Sequence, residues 1–333
     1  MHIANAVPGM VLAQDLFDDY GNLLLEKGIT LTESYIERLK KLGIRALWIE
    51  DSTADALKID AVSPQLRSKL AVYFRTLFNM KFNDIINANL RNRHFAGIAA
   101  AADTAITEVA SHEENLINLK IRYPSTDEAN HAINVCLLSL VTGIYLKLPR
   151  PVLRQLAMGA LLHDIGKSAA CGNQPDSHAR QGYNLLLTAG QSHDICRIAA
   201  EHHEAYDGTG LPARLSGKSI HPLARLVAIA NYYDNALRST LTTDIARQEI
   251  IETMLSQGNT VFDLNLLRAF FHTIALYPVG SFVRLSTGQS GYVIKNHAQF
   301  PLRPLVRAIA GEQPVEINLL HKPAITITEL IKE

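Results

Sequence analysis

Histidine and aspartate residues recur along the middle of this chain in a pattern that could hold metal ions. One stretch sets two adjacent histidines between acids and runs into a glycine-rich turn, Glu201-His202-His203-Glu204-Ala205-Tyr206-Asp207-Gly208-Thr209-Gly210-Leu211-Pro212. Upstream lie His131, the pair His163-Asp164, and His178. An isolated histidine pair is usually a polar surface step, but five histidines and one aspartate in apolar, helix-patterned surroundings indicate a metal cluster.

The residue types indicate which metals and which reaction would suit such a cluster. Imidazole and carboxylate together suit iron, manganese or zinc, and the absence of cysteine among them argues against a structural zinc–thiolate site. Asp164 is the natural bridging ligand, because a carboxylate has two oxygens. Two metals about 3.5–4 Å apart can share a hydroxide and stabilise the attacking and leaving oxygens of a phosphoryl group. Lys167, one turn after His163, would add a cation near that phosphate. The alternative interpretation is that Lys167 is a solvated residue at a helix end.

The elements that must position these residues are predicted to be helices. Apolar residues precede each chemically interesting position, as Leu153, Leu156 and Leu161 do before His163 and as Leu226 and Ile229 do before Asn231. Helical bundles commonly build metal sites between their helices. Residues 111–276 are therefore predicted to be the catalytic domain, in a fold that is mainly α.

Smaller units flank this bundle. Residues 1–55 are predicted to be a small α+β regulatory module with strands at 7–13, 23–25 and 44–49 and a helix between Thr32 and Gly43. Residues 63–110 read as a helical connector, with one helix from Ser63 to about Leu90 and another from about Phe95 to Val109. Period-two patterning in 277–333 predicts a β-rich extension with strands at 282–285, 292–294, 305–307 and 315–319.

Composition excludes several classes of function. The 333 residues include 32 basic and 32 acidic side chains, so no overall field favours nucleic acid or an anionic membrane. The sequence shows no signal peptide and no apolar run long enough to span a membrane. The three cysteines (Cys136, Cys171 and Cys196) fit reduced thiols, so a cytoplasmic protein is expected. Seven other histidines are predicted to be surface or packing residues: His94, His112, His193, His221, His272, His297 and His321.

The ordered set of His131, His163-Asp164-Ile165-Gly166-Lys167, His178 and His202-His203-Glu204 up to Gly210 resembles the HD-GYP phosphodiesterases, a branch of the HD metal-dependent phosphohydrolases. The resemblance extends over nearly the whole chain, including a small N-terminal domain and the β extension. It implies an HD-type helical bundle and a site with two divalent metals, iron or manganese, and a third metal where Asp127 adds a carboxylate. The family's usual substrate is cyclic di-GMP, which is hydrolysed to pGpG or GMP.

The resemblance also implies roles for individual residues. The implied metal ligands are His131, His163, Asp164, His178, His202 and His203, with Asn231 and Asp127 as weaker candidates. Lys167 matches the family's phosphate-contacting lysine, and Asp164 and Lys167 are the predicted catalytic residues. Asp234 matches a structural aspartate of the family rather than a ligand. A signalling protein such as a diguanylate cyclase is the implied type of protein partner.

The sequence departs from the family pattern at four places. Leu211 replaces the tyrosine of the Gly-Tyr-Pro motif, and Asn231 replaces an aspartate ligand and so removes a negative charge. Thr240 and Thr243 occupy positions that usually carry basic residues, which leaves Arg238 as the nearest cation for substrate. The interval from His163 to His178 is shorter than usual, which predicts a truncated loop over the site.

These departures leave three readings open. The first is an active phosphodiesterase on cyclic di-GMP. The second is a degenerate HD-GYP protein that acts as a non-catalytic nucleotide sensor or protein-interaction module. The third is an enzyme that acts on a different phosphorylated nucleotide.

Overall fold

The computed structural model describes most of the chain. The described residues are 3, 6–13, 15–17, 23–44, 47, 49, 62–80, 87–111, 128–169, 175–239, 247–297, 300–310 and 313–331. The predicted ligand Asp127, the positions Thr240 and Thr243, and part of the shortened interval after His163 lie outside them.

The described fold is mainly helical with a small antiparallel sheet at its C-terminal end, as the sequence predicts. The helices are α1 (Glu33–Lys41), α2 (Pro64–Phe78), α3 (Ala88–Ala110), α4 (Glu128–Tyr145), α5 (Arg150–Leu161), α6 (Gly166–Ala169), α7 (Pro175–Thr188), α8 (His193–Glu201), α9 (Pro222–Ser239), α10 (Arg247–Ser256) and α11 (Leu264–Thr273). The strands are β1 (Leu16–Phe17), β2 (Leu23–Leu25), β3 (Phe282–Leu285), β4 (Ser290–Lys295), β5 (Leu305–Ala310), β6 (Gln313–Asn318) and β7 (Ile327–Leu330).

The N-terminal unit has a small hydrophobic core of its own, which includes Leu12, Leu31 and Leu47. The Thr32 side chain caps α1 by accepting a hydrogen bond from the Tyr35 N–H. The predicted strand over 7–13 is wrong: the described residues make isolated bridges, Val11 with Thr30 and Leu12 with Ile49. The reason is local, because a turn at positions 8–9 with Gly9 at positive φ interrupts the extended run.

The connector helices differ from the predicted bounds. Helix α2 begins as predicted, with the Ser63 hydroxyl accepting from the Leu66 N–H and with Pro64 at the first position. It ends at Phe78 rather than near Leu90, because Asn79 forms the C-cap. Helix α3 begins at Ala88 rather than near Phe95, where Asn87 accepts from the Asn89 N–H. Apolar spacing continues across this break, so periodicity alone could not detect it.

Helix α4 lies at the centre of the bundle. Almost every residue from Ala129 to Gly143 is buried, and the helix packs against α2, α3, α5, α9 and α11. A helix that is apolar on all faces must be enclosed in this way. The polar residues that α4 carries, among them His131 and Asn134, are therefore held in a dry interior.

The C-terminal strands form one antiparallel sheet in the order β6-β5-β4-β3-β7. Inward-facing residues such as Val283, Val293 and Val306 are buried and belong to the same hydrophobic cluster as the helical core. The sheet therefore packs on the bundle. Among the helices that the structure describes, none combines the length and the apolar character needed to cross a lipid bilayer.

Candidate metal centre

Five histidines and one aspartate meet at one place in the helical core. They come from α4, from the ends of α5 and α8, from the turn before α6, and from α7: His131, His163, Asp164, His178, His202 and His203. All are buried except His203, which is partly buried. The structure thus brings together six of the residues that the sequence predicts as ligands.

Asp164 lies between the histidines. Its Oδ1 is 3.1 Å from His178 Nε2 and 3.6 Å from His202 Nε2. Its Oδ2 is 3.3 Å from His163 Nε2 and 3.7 Å from His131 Nε2. The Nε2 of His203 lies 3.1 Å from that of His178. Each carboxylate oxygen therefore faces a separate group of imidazole nitrogens, which is the arrangement that two neighbouring cations require.

Three of the imidazoles are held in one tautomer by partners at Nδ1. The Nδ1–H of His163 donates to the Ala160 carbonyl at 2.7 Å, and that of His202 donates to the Ala199 carbonyl at 2.9 Å. Both histidines follow a helix end by one or two residues, so they satisfy last-turn carbonyls that lack a helical partner. His131 Nδ1 lies 2.6 Å from Asp234 Oδ2. In each case the unprotonated Nε2 points into the cluster, as metal coordination requires.

The electrostatics of the cluster also suit cations. Burial alone would raise the pKa of Asp164, but the surrounding histidines, His163 first, hold it well below its usual range. Burial and neighbouring imidazoles lower the pKa of His202 to about 4 and that of His203 to about 2. Burial opposes protonation of His163, but the adjacent Asp164 carboxylate outweighs it and raises the pKa of His163. At neutral pH Asp164 is therefore ionised and His202 and His203 are neutral, which are the forms that bind metals.

Two buried atoms of the cluster indicate directly that a cation fits. Within the described residues, His163 Nε2 and Asp164 Oδ1 have no hydrogen bond of normal geometry. A buried polar atom without a partner costs about 1–3 kcal/mol, so native structures rarely leave one without a reason. Both atoms are good ligands for a divalent metal. The donor set thus fits metal ions in residue type and in position.

Comparison with known proteins finds relatives that match parts of this chain. A family model described as an HD domain matches residues 173–266, which include His178, His202 and His203, and one described as a KOW domain associated with HD domain matches 282–333. A cyclic di-GMP phosphodiesterase of Pseudomonas aeruginosa is 32% identical over 228 residues, covering 62% of this chain and 53% of that protein. Over the matched residues the chain is similar to HD-domain proteins and to this cyclic di-GMP phosphodiesterase.

Other relatives match shorter segments of the chain. A cyclic di-GMP phosphodiesterase response regulator of Xanthomonas campestris is 38% identical, covering 25% of this chain and 26% of that protein. A 3′3′-cGAMP-specific phosphodiesterase of Vibrio cholerae is 32% identical, covering 24% and 20%. The chain therefore spans about half the length of the Pseudomonas relative and less of these two. A solved HDG"Y"P protein from Bdellovibrio bacteriovorus has a TM-score of 0.47 at 17% identity, covering 81% of this chain and 97% of that one.

The predicted phosphate-contacting residue, Lys167, lies beside the cluster. Lys167 Nζ is 2.6 Å from Asp164 Oδ2 and 3.6 Å from Glu128 Oε2, with about a quarter of its side chain exposed. Sequence reasoning missed Glu128. The available signal was its position one helical turn before His131, which puts both side chains on one face of α4.

The weaker candidates have a different setting. Asn231 is buried in α9, one turn before Asp234, and its Oδ1 accepts a hydrogen bond from Asn235 Nδ2 at 2.8 Å. Arg238 lies in the last turn of the same helix. Seven residues separate it from Asn231, which is about 10 Å along the axis. Asp234 accepts from Asn134 Nδ2 at 2.9 Å as well as contacting His131, so its position is that of a residue that orients a ligand.

A second residue that sequence reasoning missed is Glu204, which follows the histidine pair. Its two buried carboxylate oxygens accept from the N–H groups of Ala213 (2.6 Å) and Leu215 (2.9 Å). The Leu211 N–H donates to the His203 carbonyl. The loop that carries the replaced tyrosine position therefore folds back on the histidine pair, with Leu211 partly exposed.

Proposed function

We propose that this protein is a metal-dependent phosphodiesterase that hydrolyses cyclic di-GMP to pGpG or GMP. The observation that carries the proposal is the position of Asp164, whose two oxygens face separate groups of imidazoles. Two divalent metals, iron or manganese, would activate water and offset charge on the phosphoryl oxygens. The names of the Pseudomonas and Xanthomonas relatives support the substrate class.

The residues of the chain would have the following roles in this reaction. Histidines 131, 163, 178, 202 and 203 would bind the metals together with Asp164. Asp234 and the carbonyls of Ala160 and Ala199 would keep three of the imidazoles in the binding tautomer. Lys167 would contact a phosphoryl oxygen, since its ammonium lies at the edge of the cluster and is partly exposed. Arg238 is a weaker substrate contact, and Asp127 is a weaker third-metal ligand.

The second candidate is a non-catalytic HD-GYP protein that senses a nucleotide or binds a signalling partner such as a diguanylate cyclase. The observation that favours it is Asn231, which brings no negative charge and whose amide oxygen already accepts from Asn235. The third candidate is hydrolysis of another cyclic dinucleotide, and the 3′3′-cGAMP-specific relative makes that compound the natural alternative to assay.

One experiment separates these candidates. The purified protein is analysed for bound metal, and hydrolysis of cyclic di-GMP and of 3′3′-cGAMP is followed with added Mn²⁺ or Fe²⁺. We expect bound metal and turnover of cyclic di-GMP, abolished in His163→Ala and Asp164→Ala and unchanged in His297→Ala, whose ring contacts Asn318 in the C-terminal sheet region. Bound metal without turnover of either compound would favour the sensor, and wild-type rates in Asp164→Ala would exclude the metal mechanism.

A further inference from the structure

The two oxygens of Asp164 face unequal sets of donors. Oδ1 belongs to a group with three imidazoles, from His178, His202 and His203, which we call the three-histidine half. Oδ2 lies nearer the two imidazoles of His131 and His163, which we call the two-histidine half. A cation in the first half would find four protein ligands, and a cation in the second half would find three.

Lys167 widens this difference. Its ammonium lies 2.6 Å from Oδ2, the oxygen that serves the two-histidine half. The carboxylate is buried, so the ion pair is only weakly screened by water. A metal ion that binds this oxygen must share its negative charge with the lysine or displace the lysine, and it is repelled by the lysine's charge. No such cation contacts Oδ1 among the described residues.

The face of α9 beside His131 adds no negative charge that would strengthen metal binding in the two-histidine half. Asn231 lies one turn before Asp234, the residue that contacts His131, so both are on the helix face that points toward this half. Its side chain is neutral, and its oxygen already accepts a hydrogen bond from Asn235. Binding of a metal to that oxygen would have to break this hydrogen bond and would gain no charge neutralisation.

We propose that the two halves bind metal with different affinity, so that the protein holds one ion in the three-histidine half when metal is limiting. The two-histidine half then fills only at a concentration about 10- to 100-fold higher, the range that changes around metal ligands typically produce. Until it fills, the Lys167 ammonium supplies the positive charge beside Oδ2. This inference rests on the proposed metal centre but not on turnover.

In the test, the metal-free protein is titrated with Mn²⁺, and binding is monitored by calorimetry and by electron paramagnetic resonance. We expect one tight site and one weaker site, with an isolated Mn²⁺ spectrum up to one equivalent and a spin-coupled spectrum only beyond it. Two ions that bind with equal affinity from the first addition would overturn the inference, as would a protein that binds no Mn²⁺.

Variants identify the cause of the difference. Lys167→Met, at a partly exposed position, should bring the second affinity about tenfold closer to the first, whereas Lys295→Met on the exposed surface of β4 should not change their ratio. Asn231→Asp should act in the same direction through an added carboxylate. An unchanged ratio in both variants would show that neither residue weakens the second half.

Hydrolysis is measured separately at saturating metal, so the two proposals fail in different ways. Unequal sites without hydrolysis would overturn the proposed phosphodiesterase and leave the inference standing. Hydrolysis by a protein with two equal sites would overturn the inference and leave the phosphodiesterase standing.

Discussion

Asp234 Oδ2 lies 2.6 Å from the Nδ1 of His131, inside a core where both side chains are almost completely shielded from water. A carboxylate at this distance keeps the proton on Nδ1 and makes Nε2 a stronger metal donor. The same carboxylate accepts from Asn134, so it is itself held in place. Asp234 therefore orients the imidazole of His131, a predicted ligand, and is not itself predicted to bind metal.

The first prediction is that Asp234→Asn lowers metal affinity about 10- to 100-fold, because the ring of His131 loses the charge that fixes its tautomer. Isothermal titration with Mn²⁺ measures the effect. The matched control is Asp194→Asn, which alters another histidine–aspartate pair, that of His221, at a partly exposed position outside the cluster. Equal affinities in Asp234→Asn and the wild-type protein would contradict the orienting role.

The second prediction concerns acid stability of the metal-free protein. His202 and His203 have folded pKa values of about 4 and about 2, far below the usual imidazole value. As pH falls below about 6.5, these two histidines become protonated in the unfolded chain but stay neutral in the folded protein. The free energy of unfolding therefore decreases by about 1.4 kcal/mol per pH unit for each such histidine. The raised pKa of His163 has the opposite effect on the free energy of unfolding, but it concerns one histidine, whereas the lowered pKa values concern two.

Urea denaturation in the presence of a chelator, at pH 7 and at pH 5, measures this dependence. We expect a clear loss of stability at pH 5 and a smaller loss in His203→Gln, which removes one of the two groups. Stability that is constant or higher at pH 5 would contradict the assignment of neutral, buried imidazoles.

The third prediction concerns the loop that follows the histidine pair. Glu204→Ala should destabilise the protein by about 2–4 kcal/mol, because the N–H groups of Ala213 and Leu215 lose their acceptors. Urea unfolding measures the change. Asp207→Ala is the control: its carboxylate also accepts within the loop, from Thr209, but at an exposed position, so the loss should be much smaller. Similar losses of stability in both variants would mean that the hydrogen bonds to Glu204 do not stabilise the loop.

The fourth prediction concerns a close approach of two backbones. A Cβ at Gly166 would overlap the His178 carbonyl oxygen and lie 2.6 Å from the Gly182 N. Gly166→Ala should therefore push α7 away from the turn that carries Asp164, with a loss of about 1–3 kcal/mol in stability and weaker metal binding. In the control, Gly143→Ala, the added Cβ meets only leucine side-chain ends, which can move. Gly143→Ala should leave metal affinity unchanged, and retained affinity in Gly166→Ala would contradict the prediction.

Much of the donor set could be predicted from the sequence because its geometry is largely local. His163 and His202 each follow an alanine by three residues at the end of a helix, so each ring reaches back to a last-turn carbonyl. Adjacent residues such as His163 and Asp164 share a turn, and therefore a site, in almost any fold. The helical class and the β extension followed from periodicity of apolar residues in the same way.

Predictions from local patterns were wrong or incomplete where a single polar capping residue sets a helix end, or where segments distant in the sequence come into contact. Asn79 and Asn87 divide a run of apolar spacing into two helices, which periodicity does not register. The pairing of Glu128 with Lys167 depends on how α4 and α6 lie against each other, because the two residues are far apart in sequence.

The sequence by itself determined which residue types are available, on or at the ends of helices: five imidazoles, one carboxylate and one lysine. Only the tertiary structure decided how the carboxylate divides them, with Oδ1 of Asp164 facing one group and Oδ2 facing the other beside Lys167. The physical reason is that metal coordination and charge–charge interactions depend on distances of a few ångströms. The residues concerned are spread over more than seventy positions of the chain, and only folding brings them that close.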